Sequence, residues 1–124
     1  MSIAVRLDDL AQALGDRDWA YLVTVGDDGR AHVVAVSPVL VDGGLVVREP
    51  GRRTRANASA RTAVTLAFPP PDPGGYTLIV DGEAVPDDES LTVRPTSAVL
   101  HRPAAPGSAP GPTGCGSDCH PVDV

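Results

Sequence analysis

The chain has no lysine; all ten of its basic residues are arginine. Schiff-base chemistry, which needs a lysine amine, is therefore excluded. Aromatic residues make up only 3% of the chain. A row of rings on which unpaired bases could stack is not available. A net charge of -6 also argues against a nucleic acid or an anionic membrane surface as partner. No apolar run is long enough to span a bilayer. Near the N-terminus, Arg6, Asp8 and Asp9 stand where a signal peptide would carry its apolar segment. The expected location is the cytoplasm.

What is present fits one small domain. The 124 residues are 42% apolar, so the core must be built from Val, Leu, Ile and Ala. A domain of this size leaves much of its surface exposed, and a partner subunit would be a natural supplement. Leu7, Leu10, Ala11 and Leu14 recur at helical spacing and Gly15 is a stop, which predicts a short opening helix. Residues 20–25 and 31–36 read as two strands joined by the turn at 26–29. After Pro38 the second strand continues through 39–41 to a turn at 42–44, and 45–47 follows as the third strand. Residues 52–61 read as a helix, 63–68 and 76–80 as strands, the latter with room to run on to 85. One or two last strands cover 91–93 and 97–100. Short strands at this spacing predict a barrel or a sandwich.

Charge is distributed unevenly. Residues 48–61 carry Arg48, Arg52, Arg53, Arg55 and Arg61 against the single acid Glu49. These arginines gather at the start of a predicted helix, whose positive end disfavours cations unless an anion joins them. Backbone amides after Gly51 and guanidinium forks together would make a phosphate site, with the Thr54 hydroxyl and the Asn57 amide in reach. The alternative is a solvated basic helix face paired with the acidic remainder of the chain. His32 and His101 fall on strands and read as structural residues.

Three stretches resemble a known family. AYLVTVGDDGRAHVV (20–34), GLVVREPGRRTRAN (44–57) and AVTLAF (63–68) are similar, in this order, to the opening hairpin, the phosphate loop with its helix, and the next strand of the pyridoxamine 5'-phosphate oxidase-like proteins. The resemblance spans about residues 4–102. It implies a six-stranded split β-barrel of Greek-key type with two short helices over residues 1–102. It also implies a bound flavin mononucleotide (FMN) or deazaflavin, hydride exchange with a small-molecule substrate, and a homodimer with the cofactor at its interface. Carried over by position, the cofactor-binding residues are Arg48, Arg52, Arg53, Thr54 and Asn57. Many relatives have threonine where this chain has Arg48, and lysine where it has Thr54. A glutamate-tailed deazaflavin would find Arg55 and Arg61 beyond the core site. The same barrel could instead hold a flavin or a tetrapyrrole without turnover.

Residues 103–124 are of another kind. The stretch 103–113 contains only Pro, Ala, Gly, Ser and Thr and cannot offset ordering by burial, so a flexible tail is expected. Cys115, Cys119 and His120 lie in it. Thiolates and imidazole suit zinc, but a closed site needs four ligands, so these three are weak metal or redox candidates.

Overall fold

The computed structural model describes residues 1–104. The period-2 alternation of the strands is visible at once in burial. In β2 (Ala20–Val25), Ala20, Leu22 and Thr24 face inward and are fully buried, while Tyr21, Val23 and Val25 face outward. β3 (Ala31–Val36) returns beside it as an antiparallel hairpin partner, with Leu22 opposite Val34. The chain then forms β4 (Val39–Val41), β5 (Gly44–Arg48), helix α2 (Arg52–Ala60) and β6 (Ala63–Phe68). Two long strands, β7 (Thr77–Pro86) and β8 (Ser90–His101), complete the sheet. Before β2 come β1 (Ser2–Val5), a 3-10 turn over Leu7–Asp9 and helix α1 (Leu10–Leu14), which buries Leu10 and Leu14 and ends at Gly15.

All pairings are antiparallel, in the order β3-β2-β6-β7-β8-β5-β4. β1 shares the β5 side of β8, pairing Ser2 with His101 through Val5 with Ala98. β3 and β4 are thus the two ends of the sheet, yet only Ser37 and Pro38 separate them in sequence. Two residues reach about 11 Å between flanking Cα atoms. The sheet must therefore curl until its ends nearly meet, which leaves a cleft between β3 and the β4–β5 edge. Inside the curl, Leu22, Leu45, Leu66, Phe68, Leu78 and Leu91 are fully buried. Apolar burial of this kind supplies most of the stabilisation of such a fold.

The described residues form eight strands, not the expected six, and three local facts explain the difference. β1 is held by a strand some 95 residues away in sequence, so its own composition carries no strand signal. Pro38, which cannot donate to a ladder, separates β4 from β3, and the two lie at opposite edges. The runs 91–93 and 97–100 are one strand. Pro95 is accommodated because the register shifts beside it, with Asp81 opposite Ser97 but Gly82 opposite Pro95. A Cβ at Gly82 would lie 2.6 Å from the Arg94 carbonyl oxygen, so only glycine permits this approach. No helix among the described residues is long and apolar enough to cross a membrane.

Candidate functional site

In β5, Leu45 and Val47 point into the core, so Val46 and Arg48 turn outward towards the cleft. The chain next makes a tight corner. Glu49 takes a left-handed φ of 49°, a conformation that costs a non-glycine residue free energy. Its N–H donates to the Glu89 carbonyl at 3.0 Å, which ties the corner to the β7–β8 turn. Gly51, at φ 89°, is the N-cap of α2 and has no side chain with which to cap it. The first turn contains no acid, and the first helical hydrogen bond is Arg55 N–H to the Gly51 carbonyl at 3.0 Å. The amides of Arg52, Arg53 and Thr54 are left without an intrahelical acceptor. Three guanidinium groups, those of Arg48, Arg52 and Arg53, are exposed here and donate to no described residue. Free amides, a helix dipole and unpaired cations at one corner leave a positive charge that an anion would balance.

Three cavities surround this corner. One of about 370 Å³ lies in the cleft between β3 and β5, lined by Val34, Val36, Ser37, Val46, Arg48 and Pro50 among others. A second, of about 580 Å³, lies further along β3 between the β2–β3 turn and α2, against His32, Arg53 and Asn57. The third and largest, about 750 Å³, opens on the other side of Arg48 and is lined by Glu49, Asp87, Asp88 and Glu89. Four carboxylates make that one hostile to a phosphate despite its size. The electrostatics favour the two cavities along β3.

No protein-family model matches the chain. It is 47% identical to an uncharacterised protein of Mycobacterium bovis and equally to one of Mycobacterium tuberculosis, over 93% of this chain and 92% of theirs. Among solved structures it is similar to an FAD-binding protein from Mycobacterium smegmatis (TM-score 0.63, 19% identity, 82% of this chain and 100% of that one). A candidate pyridoxamine 5'-phosphate oxidase from Listeria innocua superposes with TM-score 0.65 at 13% identity, covering 76% and 96% of the two chains. An F420 reductase gives TM-score 0.60 at 22% identity over 70% and 94%. The chain has the split-barrel fold of these pyridoxamine 5'-phosphate oxidase-like structures. With the two mycobacterial proteins it forms one family.

Within this split barrel the residues singled out from sequence fall into distinct places. Arg48, Arg52 and Arg53 stand together on the exposed corner. Thr54 does not join them: its side chain is 1% exposed and faces the core beside Ala58, so the hydroxyl is turned away and only its amide faces the corner. Asn57, 8% exposed, donates from Nδ2 to the Thr24 hydroxyl at 3.1 Å and borders the second cavity. Arg55 and Arg61, offered above to a deazaflavin tail, are already engaged. Arg55 donates to the Ser90 carbonyl at 3.1 Å. Arg61 donates to the Val25 carbonyl at 2.8 Å and pairs with Asp27 at 2.6 Å. Cys115, Cys119 and His120 lie outside the described residues, among which no group of three metal ligands occurs. Sequence reasoning passed over Arg30 and read His32 as a structural strand residue, and both line the second cavity. Their only signal was their place next to a turn that packing brings onto α2.

Proposed function

We propose that the split barrel binds FMN or the deazaflavin F420 in its cleft and exchanges hydride with a small-molecule substrate in the cytoplasm. The observation that carries this reading is the corner at 48–54, where free arginines and free helix amides coincide. Arg48, Arg52 and Arg53 would hold the cofactor's phosphate through charge-assisted hydrogen bonds, with the α2 amides behind them. The apolar side chains of Val34, Val36 and Val46 would flank the ring system. When bound, the cofactor supplies the hydride chemistry itself, so the protein's task is orientation and exclusion of water. That two proteins of this fold are described as FAD-binding and as an F420 reductase supports the class of ligand.

The same reading includes a homodimer. On the outer face of the sheet, cross-strand neighbours form an unbroken apolar row: Ala35, Tyr21, Ala67, Ile79, Val99 and Ala4. Beside it, Trp19 packs edge-on against Tyr21 at 5.0 Å, and the two are 40% and 43% exposed. A sheet face of this composition is normally covered, and a second copy would cover it. The test is a titration of the purified full chain with FMN and with F420, followed by fluorescence. Saturable binding with Kd near micromolar for either is expected. Failure of both to bind at millimolar concentration would remove the reading.

A further inference from the structure

Helix α2 turns one stripe of side chains towards the β2–β3 hairpin. Arg53, Asn57 and Arg61 are spaced four apart, the last at the helix C-cap, and so share that stripe. The lower two are pinned to the hairpin. Arg61 donates to the Val25 carbonyl at 2.8 Å and to Asp27 at 2.6 Å. Asn57 reaches deeper and donates to the Thr24 hydroxyl at 3.1 Å. The top member, Arg53, bonds to no described residue and stands beside the free amides of the first turn.

Thr24 is an expensive residue for its position. It is the third inward-facing residue of β2, after Ala20 and Leu22, and no part of it is exposed. Burying a hydroxyl costs free energy that a valine of the same shape would not incur, unless the hydroxyl is hydrogen-bonded. Among the described residues its hydroxyl has one partner, Asn57. A hydroxyl both donates and accepts, so this bond forms whichever way the amide is turned. Thr24 cannot turn to water instead. Asn57 itself is 8% exposed, and its Oδ1 faces the hairpin turn, 3.8 Å from where a Cβ on Gly26 would lie.

The place of this bond decides what it fixes. Asn57 lies one helical turn below Arg53, about 6 Å along the axis. With α2 running only from Arg52 to Ala60, a shift at Asn57 is carried into the first turn. Arg55, which donates to the Ser90 carbonyl, holds the opposite side of the helix. Arginine arms are long and can follow a moving helix, whereas asparagine has two side-chain torsions and cannot. Several N–H groups hold one phosphate well only when all reach it at about 2.7–2.9 Å together. Resting on the cofactor reading above, we infer that Thr24 is a positioning residue. Through Asn57 it sets the height and rotation of α2, so that Arg53 and the amides of residues 52–54 converge on one phosphate. Asn57 acts through Thr24 rather than by touching the ligand.

The test is a fluorescence titration of the full chain and its variants with FMN and riboflavin, and with F420 and its phosphate-free core, with melting temperatures measured alongside. The ratio of affinities within each pair isolates the phosphate's contribution. Thr24→Val keeps the shape and removes the hydroxyl. It should reduce that contribution about tenfold, with affinity for the phosphate-free ligand within about twofold of wild type. Thr24→Ser keeps the hydroxyl and should restore the contribution to within about twofold. Asn57→Ala should match Thr24→Val, and the double variant should be no worse than either single one, since both remove the same bond. Thr24→Ala takes the place of the valine variant should that one not fold. A lower melting temperature with the phosphate's contribution unchanged would make the pair structural alone and overturn the inference. A further loss on adding Asn57→Ala to Thr24→Val would place Asn57 on the ligand itself and overturn it too. In both cases the cofactor reading stands. Failure of both FMN and F420 to bind the wild type would overturn both.

Discussion

Five arginines crowd the segment 48–61, and the structure sorts them into two sets by what their guanidinium groups touch. Arg55 and Arg61 lie where α2 packs against the rest of the barrel. They are spent on the Ser90 and Val25 carbonyls at 3.1 and 2.8 Å. Arg48, Arg52 and Arg53 lie at the open end of the same segment and touch no described residue. Arg17 belongs with the first set, for it donates to the carbonyls of Ala13, Phe68, Pro69 and Tyr76 and staples the loop after β6 to α1. Burial lowers its pKa from the ordinary arginine value, and the ring of carbonyls keeps a cation in place there. Identical side chains thus serve architecture in one place and are left for a ligand in the other. The difference lies in the carbonyls that the fold brings within reach.

The sharpest way to break this comparison is to delete the free set. Replacing Arg48, Arg52 and Arg53 together by Ala should lower affinity for the phosphate-bearing cofactor about 1000-fold, with a melting temperature within about 2 °C of wild type. Loss of stability without loss of affinity would place these arginines with the structural set. Next in size is Arg17→Ala, which strips partners from four carbonyls. It should cost about 3 kcal/mol in urea unfolding, because four partly buried acceptors lose their donor together. Arg61→Ala removes one strong hydrogen bond, and about 1–2 kcal/mol of stability should go with it while cofactor affinity stays within about twofold. The smallest effect belongs to Asp27→Asn. Asp27 is 95% exposed, so its ion pair with Arg61 is a surface one and the melting temperature should move by less than about 2 °C.

Much of the frame is legible locally. The hairpin of β2 and β3, the strand β6, the helix stop at Gly15 and the extent of α2 all follow from alternation, turn residues and spacing. What escapes is non-local. β1 exists only because β8 offers it an edge, and β4 leaves β3 for the opposite end of the sheet across a buried Pro38. The site divides in the same way. That positive charge concentrates at 48–61 is plain from the sequence, but which arginines remain free depends on the carbonyls of Val25 and Ser90, which only the fold brings near. Thr54 had a readable signal that was not used. Residues 54, 57 and 58 share one helix face by their spacing, and that face is the buried one. A polar residue on it serves the packing side first, as Asn57 does through Thr24.

The central claim is that the free arginines read a phosphate. It is tested most directly by measuring the affinity of the cofactor with and without its phosphate, in the wild type and in the triple Arg48, Arg52, Arg53→Ala variant. Removing the phosphate should cost the wild type about 1000-fold and the variant no more than about threefold, since the two deletions remove the same interaction. If the phosphate contributed as much in the variant as in the wild type, the arginines would not be its partners and the claim would fall.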